Sequence, residues 1–285
     1  DLRGSVMDVF LKQARKRFHS ACLAGPISIT KSIPSIADVS SRASRDISKA
    51  LVAKIGITQH KRYKPAGQTA GHMFENVCQS FLEESMKSLS HLRPGLFSVS
   101  RGQAISLFDQ YAHLDELRIL ADASKELKTH LGNDYLIKPD IVVVREPELD
   151  TSINANVPIV DNSIATQTPL RQANGGHAIL HASVSCKLTI RSDRVQNTRS
   201  EALNLVRNRK GRLPHIAAIT AEPLPGRIAA IALGTGDIDC VYHFALNELV
   251  EVLQEQQRET LELVETMMDG KRLRDISDLP LDLVL

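Results

Sequence analysis

The 285-residue chain is 42% hydrophobic and 24% charged, an ordinary globular balance with enough apolar material to close a sizeable core. No run of about 18 apolar residues occurs, which excludes a transmembrane helix, and residues 1–20 lack the uninterrupted apolar stretch of a signal peptide. The formal net charge of +2 does not by itself indicate a polyanionic partner, but its distribution does: 187–212 is basic and 246–269 is acidic.

Taken in order, residues 5–23 are expected to form a helix that ends at Gly25-Pro26. The first residue is Asp1 rather than Met, so the native start is expected to lie upstream or to have been processed away. A second helix is predicted over 41–55, with Asp38, Ser40 and Ser41 as candidate caps, and Asp38 has the N-cap as its default role. A basic loop leads into a third helix over 69–90 that buries Phe74, Val77, Cys78, Phe81 and Leu82, with Glu75 beside that face. A short strand over 96–100 and one or two helices over 105–131 follow, ending at Gly132.

YLIKPDIVVVRE, 135–146, is the most strand-like stretch. Its unbroken Ile141–Val144 run suits a central strand covered on both faces, and Pro139 inside its start implies a bulge or an edge. Residues 147–177 are rich in Pro, Asn, Asp and Gly and are expected to form a long loop. A strand over 181–189 then feeds a helix capped by Ser192 or Asp193, with Ala202, Leu203, Leu205 and Val206 as its apolar stripe. Strands at 215–223 and 240–246, helices at 246–257 and 259–269, and a terminal arm over 277–285 complete the chain. Strands that alternate with helices predict a single α/β domain over 1–285. Cys22, Cys78, Cys186 and Cys240 are scattered without a CxxC pair, which argues against a zinc site and for a reducing cytoplasm.

The chemistry gathers around Asp140, Lys187 and Glu201. Hydrolysis of a phosphodiester needs a cation to neutralise developing charge and a group that readies a water. Carboxylates at strand ends can hold Mg²⁺, and a lysine beside them can position or deprotonate the water or stabilise the phosphorus centre. One acid before an apolar strand and an acid-x-lysine on the next is a common nuclease pattern. Here the position two before Lys187 is Ser185, which carries no charge, so Glu201 is the candidate replacement and Glu75 a candidate fourth member. The plain alternative is that each is a surface charge. From 191 to 212 there are seven Arg or Lys against two acids. Arg191, Asp193 and Arg194 at a helix start can read G·C pairs in the major groove, since arginine donates to guanine and aspartate accepts from cytosine; an exposed cap with local ion pairs is the alternative. Arg207, Arg209, Lys210 and Arg212 can hold phosphates or simply finish a solvated helix. Gln68, in a helix entry, stays open between base contact and solvent. LGTGD at 233–237 lacks the lysine of a phosphate loop and is read as a turn.

GQTAGHMFENVC, YLIKPDIVV, the long segment from His181 to Ile216, ALGTGDIDCVYHFAL and GKRLRDISDLPLDL together resemble the NgoMIV-like type II restriction endonucleases, the CCGG-recognising group with the PD-(D/E)XK fold, over most of the chain. The resemblance implies a central mixed β-sheet flanked by helices. It implies that Asp140, Glu201 and the Cys186 carbonyl hold Mg²⁺, two ions per site, that Lys187 is the catalytic lysine, and that Glu75 is an additional active-site glutamate. It assigns Arg191, Asp193 and Arg194 to the central CCGG, Gln68 to the outer pair, and Asp38 to the minor-groove side. The implied activity is cleavage of double-stranded DNA at GCCGGC after the first G, leaving four-base 5′ extensions. The implied setting is a homotetramer of two dimers in a prokaryotic cytoplasm, alongside a cognate methyltransferase. A catalytically inactive sequence reader of the same fold is the alternative. The segments 96–105 and 147–177 and the N-terminus depart most from the family pattern.

Overall fold

The Ile141–Val144 run forms the heart of a six-stranded mixed sheet. The computed structural model describes residues 9–57, 65–131, 137–234 and 236–285, and within these the side chains of 128, 130, 131 and 192–194 are not described. The chain opens with α1 (Phe10–Ala24), the ribbon β1 (Ile29–Thr30) and β2 (Ile33–Pro34), α2 (Arg42–Ile55) and α3 (Gly67–Ser88). Next come β3 (Phe97–Ser100), two single 3₁₀ turns, α4 (His113–Ala123), α5 (Lys125–Leu131), β4 (Ile141–Arg145) and α6 (Asp150–Ile153). The second half runs β5 (Ile179–Lys187), α7 (Ser192–Asn208), β6 (His215–Thr220), α8 (Pro225–Ala232), β7 (Cys240–His243), α9 (Leu246–Glu255), α10 (Thr260–Asp269), β8 (Leu273–Asp275) and α11 (Leu279–Asp282). The expected helix start at 5–8, Tyr135 and Leu136 of the expected strand, and Thr235 of the LGTGD turn lie outside the described residues.

Strand order follows the chain, β3-β4-β5-β6-β7-β8. The β3–β4 and β4–β5 pairs are antiparallel, and the three pairs from β5 to β8 are parallel. Each parallel step needs a crossover, and α7, α8 and the α9–α10 pair supply the three. Ile141, Val142, Val143 and Val144 are all buried, as the unbroken apolar run required. Helices α1 and α3 pack together, with α3 on β3 and β5, while α8 touches β7, α7 and α10.

Several sequence expectations change. Pro139 and Asp140 precede β4 instead of bulging it, and the register slips farther along, where Val143 faces Ala182 but Val144 faces Leu180, so that His181 is skipped. Ser41 is the cap of α2, its hydroxyl accepting from Ser44 N at 3.2 Å, so the default cap role of Asp38 is wrong. The helix after β5 starts at Ser192, which puts Arg191 at the N-cap position and Ser192 inside the first turn. The 147–177 segment is an organised excursion, because buried Arg171 donates to both Asp150 oxygens, at 2.9 and 2.6 Å, and to the carbonyls of Asp161, Ile164 and Ala165. The terminal arm contains α11 and is preceded by β8, neither of which the sequence suggested.

Candidate active site and nucleic-acid interface

Geometry converges at one end of the sheet. Ile141 pairs with Val184, so Asp140 comes off the start of β4 beside the last residues of β5. Asp140 Oδ2 accepts from Lys187 Nζ at 2.8 Å, from Cys186 N at 2.7 Å and from Ser185 Oγ at 3.4 Å. Ser185 therefore supports the carboxylate by a hydrogen bond where an acid would have repelled it. Successive strand residues point to opposite faces, so Lys187 and Ser185 share one face and Cys186 takes the other. On that other face the Cys186 and Cys78 thiols meet, which seats α3 behind the strand end.

Glu201 reaches the trio from α7. That helix buries Thr198, Ala202 and Leu205, a spacing of four and three residues, and this rotation leaves Glu201 half-buried within electrostatic reach of Lys187. Leu203 and Val206, expected on the apolar stripe, are only partly covered. Burial pushes the Glu201 carboxyl upward; the charge of Lys187 opposes this and that of Asp140 adds to it. Lys187 feels burial too, which favours its neutral form, but Asp140 first and then Glu201 outweigh it and raise the ammonium above its usual value. A lysine so held is a cation and a donor at neutral pH, which suits charge stabilisation more than base work.

Among the described residues, no group of three or more His, Cys, Asp or Glu side chains is set to hold a metal ion. The oxygen set is therefore two carboxylates facing one lysine, with the Cys186 carbonyl on the same strand end. Hard oxygen donors, an excess of negative charge and few protein ligands fit Mg²⁺, which keeps waters and takes one or two carboxylates plus substrate phosphate. Glu75 is one helical turn before Cys78, its Oε2 bonded to His72 Nδ1 at 3.2 Å and Arg101 Nη1 at 3.4 Å. No described bond joins it to Asp140, Lys187 or Glu201.

The candidate DNA contacts divide. Arg191 is exposed beyond β5 and lines a cleft of about 660 Å³ together with Asp38, Val195, Gln196, Arg199 and Arg227. The side chains of Asp193 and Arg194 lie outside the described residues, although their backbone forms the first turn of α7. Asp38 Oδ1 accepts from Ser40 N at 3.0 Å and from Ser40 Oγ at 2.6 Å, while its Oδ2 pairs with Arg227. These partners, the Ser40 hydroxyl foremost, hold the Asp38 carboxyl down at about 2. Gln68 is exposed in the first turn of α3. Arg207 is exposed in the last turn of α7, about 24 Å from Arg191 at 1.5 Å per residue, and Arg209, Lys210 and Arg212 are exposed just beyond the helix. The basic segment is thus two patches at opposite ends of one helix.

Arg227 is the cleft residue that sequence reasoning missed. Its signal was thin, an arginine in the first turn of a helix opened by Pro225-Gly226. Its meaning depends on Asp38, far away in the chain.

A mixed sheet that brings a carboxylate and a lysine to one end, with a second carboxylate on the following helix, is an arrangement suited to phosphodiester hydrolysis. The comparisons narrow this. A profile of the NgoMIV restriction enzyme matches residues 18–285. The type II restriction enzyme NgoMIV of Neisseria gonorrhoeae is 49% identical over 287 residues, covering 98% of this chain and 100% of that protein. The chain belongs to the NgoMIV restriction enzyme family, whose members are type II site-specific deoxyribonucleases.

Proposed function

We propose that this chain, acting as one domain, cuts duplex DNA at GCCGGC after the first G, leaves four-base 5′ extensions and requires Mg²⁺, with two ions per site. The observation that carries the reading is the 2.8 Å contact between Lys187 and Asp140 at the strand end that opens directly into Arg191 and α7. Cutting and reading groups lie on one strand–helix unit, so a base-pair match sets the scissile phosphate against the lysine.

Asp140, Glu201 and the Cys186 carbonyl would hold the metal, which supplies charge neutralisation at the phosphate and acidifies a bound water. Lys187 keeps its proton and donates toward the phosphate oxygens as charge grows there. Water attacks phosphorus in line and gives its proton to solvent, the bond to the 3′ oxygen breaks, and that oxygen takes a proton from solvent, leaving a 3′ hydroxyl and a 5′ phosphate. Asp140 orients Lys187, and Ser185 with the Cys186 amide orients Asp140. Arg191, Asp193 and Arg194 read the central pairs; Gln68 contacts the outer pair, and Asp38 approaches it with Arg227.

A homotetramer of two dimers fits the 147–177 excursion, which exposes Leu149, Val157, Ile159 and Ile164 around its Arg171 anchor. Four free and buried cysteines suit a reducing prokaryotic cytoplasm, where a cognate methyltransferase protects the host sites. Among the described residues, no helix is long and apolar enough to cross a membrane.

The test is digestion of a fully sequenced plasmid with Mg²⁺ and with EDTA, mapping every product end. Discrete cuts at GCCGGC that vanish with EDTA are expected. Discrete cuts elsewhere would overturn the site assignment, and tight binding without cutting would turn the reading to a catalytically inactive sequence reader.

Arg191→Ala is expected to cost about 1–3 kcal/mol of discrimination at one base pair, read from competition between single-substituted duplexes. An equal loss on every sequence would make Arg191 a phosphate contact.

A further inference from the structure

Glu222 has no part in the roles assigned so far, yet it touches both halves of the reading surface. It lies just beyond β6 and is 0% exposed. Its Oε2 accepts from Ile190 N at 2.8 Å, the amide of the residue before Arg191. Its Oε1 accepts from Leu224 N at 3.1 Å, at the entrance to α8. Arg227 Nη1 stands 3.9 Å from Oε2, while Nη2 of the same guanidinium is paired with Asp38. One buried carboxylate therefore bonds the amide just before Arg191 and lies beside the guanidinium that pairs with Asp38.

Arg191 sits at the N-cap of α7 with extended backbone, φ −120° and ψ 164°, and makes no side-chain cap. The Ile190 amide is thus fixed from outside the helix. A buried acid that lost Arg227 would keep two amide donors but no cationic partner, an unfavourable state that draws the three groups into one arrangement. Burial lifts the Glu222 carboxyl above the usual range, and the Ile190 and Leu224 amides with Arg227 pull it back.

We propose that Glu222 is a positioning residue that couples reading of the central base pairs by the Arg191 segment to reading of the flanking pair by Asp38 and Arg227. A wrong pair in either place then weakens the grip on the other, and coupling of this kind is reciprocal. The proposal rests on the reading given under Proposed function.

The test measures binding in EDTA to four duplexes: the site the wild type prefers, that site with one central pair changed, with the flanking pair changed, and with both changed. In the wild type the two penalties are expected to be non-additive. In Glu222→Gln, whose amide presents a donor where an acceptor is needed, affinity for the preferred duplex should fall about tenfold. The doubly changed duplex should be bound as before, which also reports a folded protein, and the two penalties should become independent. Glu222→Asp keeps the charge but is a methylene shorter, and is expected to recover the flanking penalty more than the central one. Should Glu222→Gln bind no duplex, Glu222→Asp carries the same measurement.

Equal losses on all four duplexes, or an unchanged coupling, would overturn the proposal. So would a wild type that prefers a site but shows independent penalties, and in that case the functional reading stands. A wild type without sequence preference would overturn the functional reading and this proposal together.

Discussion

Lys187→Ala is expected to slow single-turnover cleavage by about 10²–10³-fold while binding of the preferred duplex stays within a few fold. The separation follows from geometry. Lys187 bonds Asp140 and feels the charge of Glu201, the two carboxylates proposed to act at the phosphate, and has no described bond to Arg191 or α7. Removing it takes a donor from the place where phosphate charge develops, and no base contact goes with it. The loss should persist at high pH. A general base would be replaceable by hydroxide, so the variant's rate would climb toward the wild type with rising pH. A protonated lysine gives no such recovery, because its contribution is a positive charge. Single-turnover rates from pH 6 to 9 decide the matter, and cleavage at the normal rate would remove Lys187 from the chemistry altogether. The linkage sign agrees: a lysine raised above its ordinary value contributes stability that is complete below that value and is lost only as pH rises through the folded one. The Asp140–Lys187 contact should therefore hold across that whole range.

How much of this could be read from the sequence depended on how local each feature was. The buried strand was legible because four apolar residues in a row leave no solvent face. Asp140 and Lys187 were legible because each sits at the end of a strand, and adjacent strands bring such ends together. β8 was not legible: three residues, Leu273–Asp275, with an arginine at the centre, carry no periodicity and form a strand only because β7 offers an edge. The ribbon of β1 and β2 is shorter still. The helix start after β5 was misplaced because Ser192 and Asp193 are both good caps by composition, whereas the structure anchors the preceding Ile190 amide on a buried glutamate. The Asp38–Arg227 pair was invisible for the same reason. Its partners lie on separate elements, and only the fold makes them neighbours.

Glu201→Gln is expected to raise the melting temperature of the metal-free protein and to cut the cleavage rate by roughly a hundredfold or more. The two effects share one cause. Burial and the charge of Asp140 push the Glu201 carboxyl upward against the pull of Lys187, so the ionised form carries a net cost in the folded state. For an acid raised on folding, the stabilising contribution is complete below its unfolded value and is lost as pH climbs through the folded one. At neutral pH the wild type therefore bears an unfavourable charge that glutamine lacks. The stability gap between wild type and variant should narrow as pH is lowered toward 4.5, the ordinary value for a glutamate. Divalent cations act in the opposite direction. A cation that binds only the folded state stabilises it by about 2.7 kcal/mol at a hundred times its dissociation constant. Mg²⁺ should therefore raise the wild-type melting temperature clearly and that of Glu201→Gln much less. Thermal unfolding of both proteins with EDTA and with Mg²⁺, at pH 5 and pH 8, tests the charge and the metal separately. A variant that melts lower than the wild type without metal would mean that Glu201 is a stabilising partner of Lys187. An equal Mg²⁺ response in the two proteins would remove Glu201 from the metal site.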